Sequence, residues 1–433
     1  MKIAIFGNSA STDFIVQKIL KYNNVETVYH LGAPINSLKI DRYVPISLFH
    51  SNTTVEKSKQ FILQFPYENV VDLILPMNNQ YQLWTEFYNK MKTNGTAVLM
   101  SNRQVGMLEW SKIIGKKFLQ EAGIPTSVSK EYNLEELIKE FLNIPRPFVL
   151  KYDQYWREEL VGKNFLQGAN PKSPTIIITN ENYKEEFNLL KKETTELLTT
   201  KFFKNQKFLV EEYINGIREF SYHALMNDTS WTYLGCARDY KKRYENDQGY
   251  NTAGMGSYSP VTDINPIVHS YIDRFRKLLK EKRISYIGFL YLGIIIDKNG
   301  TPVVLEINTR PGCPEIQSIL SVIDDNIVDL FYKAATNQEL KPVKFSNKSA
   351  VSIRIINKEY NLDLKKNDII QFPKLYPPIE NICIQHNTQQ NLLSSVITTT
   401  ADNIDLASDK LYAFLKNKDI GNFTYRKDIG YLR

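Results

Sequence analysis

The stretch TPVVLEINTRPGCPEIQ, Thr301 to Gln317, carries more chemistry than any other part of the chain and sets the reading of the rest. Val303, Val304, Leu305 and Ile307 predict a buried strand. Glu306, Asn308 and Arg310 fall at alternate positions, so a carboxylate, an amide oxygen and a guanidinium project from one face. Glu306 and Asn308 offer the hard oxygen ligands that suit Mg²⁺, which binds through one or two protein groups and keeps phosphate and water as the others. Arg310 is suited to hold a carboxylate or phosphate bidentately beside them. By itself an E-x-N-x-R run reads as an ordinary solvated strand end, so its weight depends on its surroundings.

At 433 residues, with 42% hydrophobic and 12% aromatic content, the chain exceeds one ordinary core and predicts two to four domains. The longest apolar run, Ile287 to Ile296, is ten residues with two glycines, well short of the ~20 that cross a bilayer. No membrane partner is expected. The N-terminal KIAIF suits a first β-strand better than a secretory signal, and the expected location is cytoplasmic. Cys236, Cys313 and Cys383 are too scattered for a disulfide framework or zinc site. The net charge of +7 is spread along the chain, which argues against nucleic acid and for a solvated surface with anionic-ligand sites.

Residues 1–105 alternate short apolar strands (Lys2 to Phe6, Val25 to Tyr29, Val70 to Leu75, Ala97 to Met100) with helical stretches, the pattern of an open parallel α/β sheet. Gly7-Asn8-Ser9 follows the first strand, where such folds place a ligand-facing turn. A helix is expected from Met107 to about Glu121, ending at Gly123-Ile124-Pro125. Lys151 ends an apolar strand, where a long cation can reach over a phosphate. Glu211-Glu212-Tyr213-Ile214 reads as a segment joining two lobes, whose backbone suits adenine recognition. A last module from about residue 345 carries short strands and a helix near Asp405 to Lys416.

Taken in order, Lys112, Lys151, EEYINGIREFS (211–221), RDYKKRYENDQGYNTAGMGSYSP (238–260), YIGFLYLGIII (286–296), VLEINTRPGCPE (304–315) and YRKDIG (425–430) resemble glycinamide ribonucleotide synthetase, a family of the ATP-grasp superfamily. The resemblance covers nearly the whole chain. It implies a mixed α/β and α+β architecture: a Rossmann-like pre-ATP-grasp domain at 1–105, an ATP-grasp domain at 106–340 with a lid at about 125–207, and a small β-rich C-terminal domain at 345–433. It also implies ATP with Mg²⁺ or Mn²⁺, an amino-acid carboxylate and an amine as small-molecule substrates, and a monomer or homodimer.

The same resemblance implies roles. Lys112 and Lys151 match the lysines that contact ATP phosphates, with Lys116 a close rival for the first. Glu211, Glu212 and Tyr213 match the adenine hinge, and Glu219 an acid near the ribose. Glu306 and Asn308 match the metal ligands, and Arg310 an arginine facing the substrate carboxylate. Asp239, Lys241, Lys242, Asn251, Thr252, Gly254 and Gly256 match a loop closing over acceptor and phosphates. Arg310, Lys151, Lys241 and Lys242 are the candidate catalytic residues. In such ligases a carboxylate attacks the γ-phosphorus of ATP and an amine then attacks the acyl phosphate, chemistry that rests on positioning and charge neutralisation.

Departures cluster on the amine side. A Gly-Gly-Arg-Glu-His run of the family is replaced by Gly7-Asn8-Ser9-Ala10-Ser11-Thr12-Asp13, a Pro-Glu pair by Pro76-Met77-Asn78-Asn79, and an aspartate by Cys313. The segment YWREELVGKNFLQGANPKSP after Asp153-Gln154 stands where the family has a short glycine-rich lid. The expected function is therefore a carboxylate-amine ligase with an altered amine acceptor. Two alternatives stay open: a true phosphoribosylamine-glycine ligase, and a nucleotide-binding protein without turnover.

Overall fold

The computed structural model describes all of the chain except residues 8, 33–34, 36–37, 39, 48–54, 68–69, 78–84, 94, 154–174, 198–206, 263, 265, 359–382, 388–393, 417 and 432–433. The inserted lid segment and Asn78-Asn79 therefore lie outside the described residues.

Strands β1 (Lys2–Phe6), β2 (Thr27–Gly32), β3 (Tyr43–Ser47), β4 (Leu73–Pro76) and β5 (Ala97–Val98) form a parallel sheet in the order β3-β2-β1-β4-β5. Ile3, Ala4, Ile5 and Phe6 are all fully buried, as expected of a strand covered on both faces. Sequence order reverses beside β1, so the carboxyl ends of β1 and β4, at Gly7 and Met77, open on the crevice where such sheets bind ligands. The second strand starts at Thr27, later than the Val25 expected, because Val25 is spent closing the turn after the first helix, its N–H donating to Tyr22 O.

The helix expected from Met107 to Glu121 is two helices, Arg103–Trp110 and Lys112–Glu121. Ser111 is extended between them, and its Oγ accepts from Ile114 N at 3.1 Å, a cap that starts the second helix. Asp153 fixes this joint by accepting from Ser111 Oγ at 2.8 Å and Ile113 N at 3.1 Å. The break re-aims Lys112 and Lys116.

A second, antiparallel sheet has the order β6 (Ser129–Asn133), β9 (Lys207–Glu212), β7 (Phe148–Tyr152), β8 (Thr175–Ile178). Three residues, Tyr213 to Asn215, link β9 to β10 (Gly216–Met226) of a third sheet. Among the described residues that sheet has nine strands: β16 (Pro302–Asn308), β15 (Gly288–Asp297), β10, β11 (Trp231–Asp239), β14 (Gly256–Ser259), β17 (Ser349–Asn357), β19 (Ser394–Ala401) and β18 (Cys383–Asn387), with β20 (Phe423–Thr424) on β17. Strands from the end of the chain thus continue the same ladder through the β14–β17 pair. The hairpin β12 (Lys242–Tyr244) and β13 (Gln248–Asn251) stands off it as a separate two-stranded ribbon.

Helix Ile267–Glu281 covers this sheet. Its Val268, Tyr271, Ile272, Phe275, Leu278 and Leu279 recur at helical spacing and are buried, Phe275 meeting Phe118 at 4.8 Å between ring centroids. The core so formed runs from Val105 to Ile429 and holds the strand ends of β10, β15 and β16 in fixed register.

Candidate active site

The polar face read from the sequence is formed by β16 and the turn after it. Glu306 pairs in register with Gly293, where a Cβ would come within 3.0 Å of Glu306 Cγ, so the missing side chain is what makes room for the carboxylate. Lys112 Nζ stands 3.7 Å from Glu306 Oε2, and the two side chains are 17% and 26% exposed, open to a ligand. Burial opposes ionisation of Glu306, but Lys112, Lys241, Lys151 and Arg310 outweigh it and bring its pKa down to about 2. Asn308 is buried, and its Oδ1 accepts from Arg310 Nη2 at 3.4 Å.

Glu109, on the helix before Ser111, aims Arg310. Its Oε1 accepts from Arg310 Nε at 3.0 Å, and its Oε2 from Thr309 N at 2.8 Å. Nothing in its sequence context singles Glu109 out, because the partners lie 200 residues away.

Lys151 and Lys116 converge on one buried carboxylate. Lys151 Nζ lies 2.9 Å from Glu211 Oε2 and donates to Leu305 O at 2.8 Å, so β7 of one sheet grips β16 of another. Lys116 Nζ lies 3.0 Å from Glu211 Oε1 and donates to Thr126 Oγ1 and Ser127 Oγ at 2.6 and 2.7 Å. Ser127 Oγ donates in turn to Glu211 Oε2 at 2.8 Å. The structure thus separates the two rival lysines: Lys112 faces Glu306, and Lys116 is buried against Glu211 of β9.

Glu212 ends β9, its N–H donating to Val128 O at 2.9 Å, while Tyr213 lies beyond the strand and is 41% exposed. Glu219, on β10, is ion-paired with Lys241. Thr252 N and Oγ1 both donate to Lys241 O, at 2.7 and 2.9 Å, closing the base of the hairpin that carries Lys242 and Asn251. Gly254 has φ +94, and a Cβ there would meet Pro314 Cδ at 2.7 Å and Asp239 Oδ1 at 2.9 Å, so this turn requires glycine. Gly256 sits within β14, where a Cβ would approach Ser352 O to 2.7 Å; the ladder alone accounts for a glycine there.

Around Cys313 the walls are buried and polar. Arg354 Nη2 donates to Cys313 O at 3.1 Å and lies 3.1 Å from its Sγ. Ser11 Oγ donates to Gly312 O at 3.4 Å, which brings the first turn of the helix Ala10–Ile19 onto the same loop. Gly312 N donates to His223 Nε2 at 3.3 Å, and burial, then Arg310, push His223 down to about 3, so the ring is neutral. Burial, then Glu315, drive Asp239 well above the usual carboxylate range. His223 and Arg354 are additions to the residues read from sequence.

Residues 110–316 match the phosphoribosylglycinamide synthetase, ATP-grasp (A) domain. A phosphoribosylamine-glycine ligase of Streptococcus suis is 28% identical over 451 residues, covering 99% of each chain. One from Leptospira interrogans is 29% identical over 348 residues, 75% of each chain. The crystal structure of a phosphoribosylamine-glycine ligase from Thermotoga maritima superposes with a TM-score of 0.73 at 22% identity, covering 99% of this chain and 100% of that one. Over residues 110–316 the chain carries the ATP-grasp domain of the phosphoribosylglycinamide synthetase family. It is therefore an ATP-grasp carboxylate-amine ligase, an enzyme forming C–N bonds. Its fold is ATP-grasp, as the motifs predict, and no helix among its described residues is long and apolar enough to cross a membrane. The family match begins just before Lys112 and ends just past Glu315, so it leaves out the N-terminal sheet, Glu109, Arg354 and the last module.

Proposed function

We propose that this enzyme is a phosphoribosylamine-glycine ligase, joining the carboxylate of glycine to the amine of phosphoribosylamine as ATP is cleaved to ADP and phosphate. The observation that carries the reading is the Glu306, Asn308 and Arg310 face with Lys112 Nζ at 3.7 Å, set in a chain that relatives of that name match over 99% of both lengths. ATP is consumed with Mg²⁺, which neutralises charge on the phosphate oxygens. The donor set fits that ion: Glu306 is ionised and partly exposed, Asn308 adds an amide oxygen, and Lys112 and Arg310 now sit on the oxygens that a cation would take. Mn²⁺ asks for the same oxygens.

The lysines do the rest of the electrostatic work. Lys112 stands at the phosphate side of Glu306, and Lys151 at the junction of two sheets, where a triphosphate lies between them. Tyr213 and the ends of β9 border the adenine, and Glu219 the ribose. Arg310, aimed by Glu109, holds the amino-acid carboxylate in line for attack on the γ-phosphorus. Lys241, Lys242, Asn251, Thr252 and Gly254 close over the acyl phosphate, excluding water while the amine attacks.

A second reading, a ligase for another amine, is favoured by one feature. The turn after β1 holds no arginine or histidine from Gly7 to Asp13, and its Ser9 and Ser11 are engaged, Ser9 capping the next helix and Ser11 reaching Gly312. Rescue of a purine auxotroph lacking this ligase, with ADP release that needs both glycine and phosphoribosylamine, is the expected result. Glycine-dependent ADP release with some other amine only would establish the second reading. ATP binding without ADP release for any amino acid would leave a nucleotide-binding protein.

Glu109→Gln tests the arginine assignment. It removes the charge that orients Arg310 without changing shape, and is expected to raise the KM for the amino acid by about tenfold or more, with MgATP affinity unchanged. An unchanged KM would detach Arg310 from the carboxylate.

A further inference from the structure

Arg426, close to the end of the chain, is only 1% exposed, although it is among the longest and most hydrated of side chains. A guanidinium taken out of water has to be paired, and the pattern of its pairing is directional. Its Nε and Nη2 donate to the two oxygens of Asp428 at 2.8 and 2.7 Å, a fork-to-fork match. Its Nη1 leaves the C-terminal segment altogether and donates to Lys242 O at 3.0 Å and Asp247 Oδ1 at 2.9 Å.

The neighbours of Arg426 reach the same hairpin. Asp428 Oδ2 also accepts from Asn246 N at 2.8 Å, and Lys427 N donates to Glu245 Oε1 at 3.2 Å. Gly430 N donates to Tyr240 OH at 3.0 Å, and the Arg426 guanidinium lies 5.1 Å from the centre of the Tyr240 ring. Asn246 and Asp247 form the tip of the hairpin with φ of +55 and +52, the left-handed pair of a tight hairpin turn, which Asn and Asp tolerate. Among the described residues β12 and β13 pair only with each other, and an isolated two-stranded ribbon is marginal in water. The contacts from 426–430 supply what the ribbon lacks.

We propose that Arg426 and Asp428 are positioning residues for the ligase reaction: the last residues of the chain clasp the β12–β13 hairpin and so place Lys241 and Lys242 over the acceptor. This rests on the role given above to the hairpin. The alternative is that the buried pair only stabilises the C-terminal module.

Hydrogen exchange followed by mass spectrometry, on the full chain, separates the two. Arg426→Lys keeps the charge but loses the fork, Asp428→Asn loses the charge, and Asp247→Asn removes one arm at the exposed tip. Each is expected to speed exchange across residues 242–251 and the clasping segment 426–430, and nowhere else. Turnover should fall by about ten- to a hundredfold, with MgATP affinity held within about twofold. Unchanged exchange in the hairpin, or a loosened hairpin with full turnover, overturns the proposal. If Arg426→Lys fails to fold, Asp247→Asn carries the test, since Asp247 is 41% exposed. If the wild-type enzyme shows no ligase turnover, it is the functional reading that fails, and the exchange comparison still decides whether the clasp holds the hairpin.

Discussion

Glu306→Gln is expected to cut ligase turnover by at least about a hundredfold while leaving the fold intact. The two side chains have the same shape, so packing against Gly293 is preserved, and what is lost is one negative charge. That charge is balanced against Lys112, Lys241, Lys151 and Arg310, the four groups that hold the Glu306 carboxyl at about 2. Without it a hard divalent cation meets only neutral amide oxygens among four positive charges, and binding becomes unfavourable. A triphosphate, in contrast, meets less repulsion than before. Calorimetry should therefore find ATP uptake without Mg²⁺ retained or strengthened, and the gain from added Mg²⁺ gone. Full turnover at ordinary Mg²⁺ would remove the metal assignment.

The second large effect is on stability. Glu211→Gln leaves Lys116 and Lys151, 4% and 6% exposed, with no counter-charge between them. Breaking a buried ion pair from one side costs about 3–5 kcal/mol, because a charge stays behind uncompensated. Here two are stranded, so a loss at the upper end is expected in denaturant unfolding. A drop of less than about 1 kcal/mol would mean that the triad is not the anchor described. Lys151→Ala differs: it spares the Lys116–Glu211 pair and is expected to weaken nucleotide binding more than it weakens the fold.

The triad also predicts a pH dependence. One carboxylate serves two ammonium groups, so Glu211 is lowered below its ordinary 4.5 by Lys151 and Lys116 in spite of burial. Its stabilisation is present above that value and is lost as acid protonates it. Burial, with repulsion from Lys151, outweighs the pull of Glu211 on Lys116 and lowers it from 10.5 to about 8. Between those values the unfolded chain binds a proton that the folded one does not, so stability rises with pH on this account and is level below about 8. Unfolding of the wild type measured against Lys116→Met from pH 7 to 10.5 should show that rise; a flat difference would show that Lys116 is not desolvated.

Much of this was legible without coordinates. The strand expected at Lys2 to Phe6 is β1, and the one around Val303 to Ile307 is β16 from Pro302 to Asn308, because apolar runs between turn residues are local signals. Boundaries shifted where a single hydrogen bond decided them. Ser111 could extend a helix or cap one, and only its contact with Asp153, 42 residues on, resolves the choice.

Residue chemistry and the two-residue period of a strand are properties of neighbouring positions. They sufficed to put Glu306 and Asn308 on one face and to put Arg310 beside them. Which partner each charge meets depends on how separate elements are placed in space. Only the tertiary structure could send Lys112 to Glu306 and Lys116 to Glu211, recruit Glu109 from an unremarkable helix, and bring Arg426 back across 179 positions to Asp247. A lone charge in a sequence looks the same whether water or a buried counter-ion will surround it, and desolvation acts only once the chain has closed around it.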